Sequence, residues 1–275
     1  MDCIKVKNIK SWAKSYSGNY LFYQPRNINE IKTLLSKNKK LISSGGFRSY
    51  GDSAISEVII NSKYFNKIIN FDEEAGILRA QSGITIDEMI KFLLPRGWFL
   101  KVTPGTKFAT LGGCIASDVH GKEHHVEGCF SENLVKLKLL VNNKEVIELS
   151  RSSHPDLFQA TCGGMGLTGF IIEAAIECKK IKSSNIIFNK IINYNIDEVF
   201  SCFEKYMSSN YSVAWLDTKK NKNKYKSIFI HGEFCDKSNL SLNKSSILKI
   251  PFNIKIINNI SINIFNYLYF LWNSL

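Results

Sequence analysis

The sequence predicts an α+β protein in which short strands outnumber helices. Three observations predict it: short apolar runs bounded by turn residues, few segments with apolar residues at helical spacing, and glycine-rich turns that follow strand-like runs. The 275 residues allow one or two domains. A composition of 44% hydrophobic and 22% charged residues excludes a disordered or collagen-like chain.

The first elements alternate helix and strand. Apolar residues at helical spacing over 28–35 predict a helix, and residues 41–44 predict the strand after it. Short apolar runs between turn residues predict several strands over 58–86. A second helix is expected at about 86–95, where two acidic residues in the first turn favour its start.

The later elements continue this pattern up to a change of character near residue 182. We expect a hairpin over 134–149, a short helix over 156–160 and a strand over 170–178. The polar stretch Lys182–Asn185 is the predicted boundary, which gives domains 1–181 and 182–275. The second domain carries strand-like runs at 186–192 and 227–230, a helix at about 196–207 and a lysine-rich loop at 219–224.

The chain is strongly basic, with 36 Lys and Arg against 24 Asp and Glu, a formal net charge of +12. This excess fits an anionic partner such as a phosphorylated small molecule or an acidic membrane surface. A surface simply solvated by lysines explains it equally well. Nucleic acid is not expected, because aromatic residues are not interleaved with the lysines and no nucleic-acid-binding motif occurs.

Cysteine usage and the first residues predict a cytoplasmic protein. The seven cysteines are odd in number and none forms a C-x-x-C pair, so we expect reduced thiols rather than disulfides or a zinc site. The first residues lack the apolar region of a secretory signal. No run of about 18 residues is free of polar interruptions, so a membrane-spanning helix is not expected.

The first glycine cluster, SGGFRSYGD at 44–52, follows a predicted strand. Successive main-chain N–H groups in a glycine-rich turn can converge on an anion, and glycine allows close approach of the backbone. Ser49 adds a hydroxyl donor. The cluster lacks the G-x-x-x-x-G-K-[ST] pattern of ATP-binding loops. A tight surface turn is the alternative interpretation.

The second cluster combines PGT at 104–106 with LGGCIASDVHG at 111–121. So long a run of small residues suits a flat ligand that lies against the backbone, because larger side chains would hold it away. The alternative is close packing of two chain segments.

The third cluster, GGMGLTG at 163–169, contains a literal G-x-G-x-x-G. A Rossmann dinucleotide site needs a strand before this motif and a helix after it. Here a short helix precedes the motif and a β-branched strand follows it. We therefore reject a Rossmann site.

Three histidines, His120, His124 and His125, lie close together beside Glu123. A His-x-x-x-His pair on a helix can bind zinc, but Gly121 interrupts this segment, which we expect to be a loop. No metal site is expected. A histidine at the end of a ligand-facing loop is better interpreted as a substrate or cofactor contact.

Five sequence words carry a family resemblance: RSYGD (48–52), PGT (104–106), GGCIASDVHGKEHH (112–125), LFQATCGGMGLTG (157–169) and VAWLD (213–217). In order and spacing they resemble the FAD-linked oxidases of the vanillyl-alcohol-oxidase superfamily, which have a PCMH-type FAD-binding domain. The resemblance covers essentially the whole chain. The stretch VHGK-x-HH favours the decaprenylphosphoryl-β-D-ribose 2'-oxidase branch.

The resemblance implies two α+β subdomains that hold FAD between them, followed by a partial, truncated cap domain. The first loop would cradle the diphosphate and the second cluster would line the flavin and its ribityl chain. The implied FAD-binding residues are Gly45, Gly46, Arg48, Ser49, Tyr50, Gly51, Gly105, Thr106, Gly112, Gly113, Ser117, Gly166 and Ile171. The first loop has Ser49 and Tyr50 where some relatives carry an FAD-linking histidine, which implies non-covalent FAD.

The resemblance also implies an activity. His120 and Lys122 would be catalytic, and the substrate would contact Tyr50, His120, Lys122 and Trp215, the last on the cap. The implied reaction oxidises a secondary hydroxyl of a polyprenyl-phosphate pentose, or of a related glycan precursor, to a keto sugar by hydride transfer to flavin N5. A short-chain reductase is the implied partner that then reduces the ketone.

Two other functions stay open. One is a sugar-lactone or alditol oxidase with the same fold. The other is a non-catalytic, flavin-binding fragment or subunit of a split enzyme, completed by a complementary C-terminal chain.

The sequence departs from the family in two places. Phe47 occupies a position where glycine is common and is expected to crowd the diphosphate. The chain also stops before the rest of the cap that the family has. Its aromatic tail, 251–275, is either half of a cap helix pair or a contact with the inner face of a membrane.

Overall fold

The computed structural model describes residues 5–218, 225–237, 239–242 and 258–274. The chain divides into two compact units, Met1–Lys180 and Ile181–Leu275. The predicted lysine-rich loop at 219–224 and the first part of the aromatic tail, 251–257, lie outside the described residues.

The first unit begins with a small sheet of four strands in the order β1-β2-β4-β3. These are β1 (Lys5–Lys10), β2 (Ser17–Tyr23), β3 (Leu41–Ser44) and β4 (Val58–Asn61). Strand β4 runs parallel to both β2 and β3, and helix α1 (Ile28–Lys37) connects those two strands. The buried residues Ile31 and Leu34 of α1 pack against β4 and β10, the latter being Phe170–Lys180.

A larger antiparallel sheet completes the first unit in the order β5-β6-β10-β8-β9, with β7 also pairing with β10. The remaining strands are β5 (Ile68–Asp72), β6 (Ile77–Gln81), β7 (Trp98–Leu100), β8 (Leu134–Leu140) and β9 (Val146–Ser150). The helices are α2 (Ile86–Leu93), α3 (Leu111–Ala116), α4 (His124–Glu127) and α5 (Pro155–Thr161), with single 3-10 turns at Leu94–Arg96 and Phe130–Asn133.

The main core lies between the larger sheet and helices α2, α3 and α5. Helix α2 begins with a capping box, in which Thr85 and Glu88 satisfy each other's main-chain N–H groups. Its fully buried Met89 packs in the same cluster as Leu111 and Ile115 of α3. Helix α3 is thereby fixed against the sheet.

The second unit contains a three-stranded antiparallel sheet in the order β11-β13-β12. Its elements are β11 (Ile186–Asn193), α6 (Ile196–Lys205), β12 (Tyr211–Leu216), β13 (Ser227–Phe234) and α7 (Asn259–Ser274). The fully buried ring of Phe229 on β13 lies 4.9 Å from the ring of Phe203 on α6. None of the helices in the described ranges combines the length and the apolarity needed to cross a membrane.

The predicted α+β class is confirmed, as are the first two helices, the hairpin and the helix and strand around the third glycine cluster. One local prediction is wrong: residues 124–127, predicted as a loop, form one helical turn. Residues 111–116, for which no element was predicted from the sequence, form α3. The interpretation of the second unit as part of a cap remains a prediction.

Candidate cofactor-binding site

The three glycine clusters meet in one cleft of the first unit, with a volume of about 550 Å³ including space open to solvent. Of the residues predicted to bind FAD, those lining the cleft are Gly45, Ser49, Gly112, Gly113, Ser117, Gly166 and Ile171.

The cleft lining is neutral and rich in hydroxyl groups. No charged side chain belongs to it within the described residues. The hydroxyl groups come from Ser43, Ser44, Ser49, Ser53, Ser62, Ser82, Ser117 and Thr110. Hydroxyl groups and main-chain N–H groups are donors that bind phosphate oxygens without an ion pair.

The first glycine loop, residues 45–51, keeps its main-chain donors free. Among the described residues, none of its N–H groups donates a hydrogen bond within the protein. The loop is held instead through its start, because Asn61 Nδ2 donates to the carbonyl oxygens of Ser44 and Gly45 at 3.3 and 2.7 Å. Gly45 also approaches Thr110 so closely that a Cβ atom would lie 2.0 Å from its Oγ1. The result is an anchored turn with uncommitted donors, which suits an anion.

Four predicted residues of the first loop do not line the cleft: Gly46, Arg48, Tyr50 and Gly51. The Arg48 guanidinium lies over the ring of Phe108, 5.3 Å from its centroid. Tyr50 is 74% exposed, and its ring lies edge-on to that of Trp12 at 5.2 Å. Their roles in binding FAD or substrate therefore remain predictions.

Helix α3 presents bare main chain to the cleft rather than free donors. The Gly112 N–H donates to the carbonyl oxygen of Ser82 at 2.7 Å, and the Gly113 N–H donates to Thr110 Oγ1 at 3.3 Å. A Cβ atom on Gly112 would lie 2.9 Å from that of Ser82. These two glycines thus permit close packing and a flat surface, and their amides are already satisfied.

The third glycine loop is fastened to the end of α3. The Gly163 N–H donates to the Ile115 carbonyl at 3.0 Å, and the Met165 N–H donates to the Ala116 carbonyl at 2.7 Å. Gly166, with a φ of +79°, has the left-handed conformation that glycine adopts without strain. Helix α5 precedes this loop and strand β10 follows it, the reverse of a Rossmann site.

Four further predicted residues, Gly105, Thr106, His120 and Lys122, are absent from the cleft lining. His120 and Lys122 are exposed, and the His120 ring lies 5.3 Å from that of His124. The segments that carry the four residues are joined by the buried Glu123 carboxylate, which accepts a hydrogen bond from the Thr103 N–H.

The remaining residues singled out from the sequence are Trp215 and the histidines beside His120. Trp215 lies on β12 of the second unit, with its ring 5.1 Å from that of Tyr269 on α7. His124 Nδ1 lies 3.9 Å from Cys129 Sγ. Within the described ranges, no three His, Cys, Asp or Glu side chains are grouped so that they could hold a metal ion.

Sequence reasoning missed several cleft residues, above all Ser62 and Ser82. Each is the first residue after a strand, β4 or β6, but a polar residue at the end of a strand does not by itself show which cleft it lines. Ser82 is 2% exposed. Its Oγ is the one buried side-chain N or O atom in the described part of the chain that lacks a hydrogen-bond partner.

Comparison with known proteins places these features among FAD-binding proteins. Residues 21–150 match the family model described as an FAD binding domain. Over 182 residues the chain is 35% identical to decaprenylphosphoryl-beta-D-ribose oxidase of Mycolicibacterium smegmatis, covering 64% of this chain and 40% of the relative. It is 29% identical over 182 residues to L-gulonolactone oxidase of Mus musculus, covering 63% and 41%. The chain thus spans about two fifths of the length of these curated relatives.

The fold is also shared with a solved structure. A structure of alkyldihydroxyacetonephosphate synthase matches with a TM-score of 0.65 at 18% sequence identity, covering 79% of this chain and 49% of that one. Together the comparisons confirm the PCMH-type fold, the resemblance to FAD-linked oxidases and FAD as the cofactor.

Proposed function

We propose that this protein is the cofactor-binding part of an FAD-dependent oxidoreductase that acts on a CH–OH group of a sugar, because residues 21–150 match the model of an FAD binding domain. One observation carries the proposal: three separate glycine clusters line a single uncharged cleft whose first loop has uncommitted N–H donors. A cofactor with a diphosphate and a flat ring needs both features.

Each part of the cleft has a role in this proposal. The N–H groups of residues 45–51 and the Ser49 hydroxyl bind the diphosphate. The bare main chain of Gly112 and Gly113 and the Ser117 hydroxyl lie along the flavin and its ribityl chain. Gly166 and Ile171 complete the lining of the cleft. When bound, FAD supplies a hydride acceptor at its N5 atom.

For the substrate, we propose a polyprenyl-phosphate pentose or a related glycan precursor, whose secondary hydroxyl is oxidised to a ketone. His120 orients the hydroxyl and takes up its proton, and the exposed Lys122 ammonium binds the phosphate. The similarity to decaprenylphosphoryl-beta-D-ribose oxidase and the net charge of +12 support this substrate class. A short-chain reductase that consumes the keto sugar is the proposed functional partner.

The second candidate is a sugar-lactone or alditol oxidase. The similarity to L-gulonolactone oxidase over the same length of chain favours it. A free lactone carries no phosphate, so under this alternative Lys122 has no anionic group to bind.

The exposed apolar surface of helix α7 is evidence for a complementary polypeptide as a further partner. The helix contains no charged residue, and apolar side chains along it are exposed, among them Ile260 at 72% and Trp272 at 82%. We propose that a polypeptide corresponding to the remaining three fifths of the relatives covers this surface. The test is flotation of the protein with anionic vesicles, with and without that polypeptide. Flotation that the polypeptide does not prevent would instead indicate a cytoplasmic protein attached through α7 to the inner membrane surface.

The experiment for the activity is an anaerobic reduction assay. The purified protein is titrated with FAD and then mixed with a lipid-linked pentose phosphate or an aldonolactone, while the visible absorbance of the oxidised flavin is followed. Bleaching by the lipid-linked sugar supports the first candidate, and bleaching by the lactone alone supports the second. A protein that takes up no FAD contradicts the proposal. Binding without bleaching that is rescued by the complementary polypeptide assigns the chain as one subunit of a split enzyme.

A further inference from the structure

We propose that Glu123 is a positioning residue that sets the loop carrying His120 and Lys122 against the segment carrying Gly105 and Thr106. The proposal rests on the proposed function for the roles of those four residues. Glu123 stands at the start of α4 and is 1% exposed, whereas its neighbours Lys122 and His124 are exposed.

The Glu123 carboxylate links two segments that are distant in sequence. Its Oε1 atom accepts a hydrogen bond from the Thr103 N–H and lies 3.4 Å from Thr103 Oγ1. Thr103 immediately precedes Pro104, which has no N–H group, and then Gly105 and Thr106. The carboxylate therefore holds the chain at the entry to that segment.

Gly121 brings the same two segments into direct contact. A Cβ atom at this position would lie 2.3 Å from the Thr103 carbonyl oxygen and 2.5 Å from both carboxylate oxygens of Glu123. Only glycine allows this approach. Gly121 thus contacts both the Thr103 carbonyl and the Glu123 carboxylate, and the same carboxylate binds the Thr103 N–H. These contacts fix the distance between the His120 loop and the segment after Thr103.

Few other hydrogen bonds fix the conformation of the loop at residues 120–123. In the described part of the chain, no N–H group of residues 120–123 donates a hydrogen bond within the protein. The N–H of Val119 donates to the Cys114 carbonyl at 3.1 Å, and that of His124 donates to the Gly121 carbonyl at 3.3 Å. The Glu123 side chain is thus the polar tie between the loop and the segment after Thr103.

Burying a carboxylate has an unfavourable desolvation free energy. Its desolvation must be offset by charge-assisted hydrogen bonds, and an apolar side chain of similar volume would avoid that cost. What the carboxylate adds is direction, because its acceptor geometry fixes the Thr103 main chain. Catalysis depends steeply on such placement, since a displacement of about 1 Å can cost about 100-fold in rate.

The test compares E123Q and E123A with the matched control E127Q in the FAD-loaded full chain. Glu127 is the last residue of α4, the helix that Glu123 precedes, and its carboxylate pairs with Lys179 of β10 at 3.0 Å, whereas that of Glu123 binds Thr103. Flavin reduction by the sugar that reduces the unmodified protein is followed against sugar concentration. In protein saturated with FAD, we expect the limiting rate to fall about 10-fold in E123Q and about 100-fold in E123A, with E127Q unchanged. An equal loss in E127Q, or a loss explained by weaker FAD binding, overturns the proposal.

Hydrogen exchange separates this proposal from the proposed function. The Thr103 amide, protected by the carboxylate, should exchange at least about 10-fold faster in E123A and unchanged in E127Q, with thermal unfolding measured to verify that both variants fold. If no sugar bleaches the flavin of the unmodified protein, the proposed function fails while this readout still decides the role of Glu123. An unchanged Thr103 exchange rate in a folded E123A protein overturns the positioning role.

Discussion

The ring of Phe47 lies 6.1 Å from the ring of Phe22, although the Phe47 backbone is left-handed with a φ of 53°. Such a φ costs a bulky residue about 1–2 kcal/mol. The sequence predicted that Phe47 would crowd the diphosphate loop. Its side chain instead packs against an apolar cluster that includes Ile42 and Ile59, and it does not line the cleft. Apolar burial thus compensates for a strained turn.

We therefore expect Phe47→Ala to destabilise the protein without weakening FAD binding. Alanine keeps the unfavourable φ and loses the packing of a half-buried ring, which should lower the free energy of unfolding by about 2 kcal/mol. Phe47→Gly loses the same packing but relieves the strain, so it should be the more stable of the two variants. Urea unfolding of the FAD-free protein measures both effects. A Phe47→Ala variant with unchanged stability and lost FAD binding would show that the ring belongs to the cofactor site.

The orphaned hydroxyl of Ser82 leads to a stabilising prediction. A buried hydroxyl without a partner costs about 1–3 kcal/mol, so Ser82→Ala should raise the free energy of unfolding of the FAD-free protein by about 1 kcal/mol after the loss of a little packing. Ser11→Ala is the matched control. Ser11 is also buried in the first unit, but its Oγ accepts a hydrogen bond from the Tyr16 N–H, so the control should lose stability. If both variants lose stability equally in urea unfolding, the Ser82 hydroxyl has a partner.

Local sequence signals predicted those elements in which neighbouring residues decide the structure. Helix α2, whose start was indicated by the acidic Asp87 and Glu88 in its first turn, is one such case. Another is the G-x-G-x-x-G motif at 164–169, for which the helix before and the strand after could be read directly. In both cases the interactions span only a few residues.

Helix α3 and the places of Ser62 and Ser82 in the cleft could not be predicted in this way, because distant contacts produce them. Two consecutive glycines each cost a helix about 1 kcal/mol, yet Gly112 and Gly113 lie in α3 because Ser82 packs directly on the first of them. Ser62 and Ser82 reach the cleft from the ends of strands in two different sheets. Conversely, His120 is near Ser117 in sequence but lies outside the cleft lining, since the chain leaves α3 between them.

A substitution at Gly105 can distinguish an effect on FAD binding from an effect on folding stability. A Cβ atom there would meet nothing within 4 Å, and its φ is not in the left-handed region. Gly105→Ala should therefore leave the free energy of unfolding of the FAD-free protein within about 0.5 kcal/mol. If Gly105 lines the flavin as the family resemblance implies, the methyl group should weaken FAD binding by about 10-fold or more, measured by quenching of flavin fluorescence.

Gly112→Ala is the contrasting control, because its Cβ atom would lie 2.9 Å from that of Ser82. This variant should lose both stability and FAD affinity. A Gly105→Ala protein that binds FAD normally would remove Gly105 from the cofactor site while leaving the cleft itself unaffected.

The lowered pKa of the Glu173 carboxyl group predicts how the stability of the protein depends on pH. Partial burial alone would raise the pKa of its carboxyl group, but hydrogen bonds from Arg79 and Lys138 and the charges of both outweigh burial and hold the pKa below its ordinary value of 4.5. The unfolded chain therefore binds a proton more readily than the folded one, so stability rises with pH in this range. The contribution is present above about pH 4.5 and is lost as the pH falls through the lowered pKa.

We expect Glu173→Gln to lower the free energy of unfolding at pH 7 and to have a progressively smaller effect toward acid pH, because protonation already removes the charge there. Glu148 is the matched control on the same sheet. It pairs with Lys136 at 3.0 Å but is 48% exposed, against 12% for Glu173, so solvent screens its ion pair. Urea unfolding at several values between about pH 3.5 and about pH 7, a range that covers the ordinary carboxyl transition, measures both variants. A Glu173→Gln deficit that is constant over this range would mean that lost packing, not the lowered pKa, accounts for the effect.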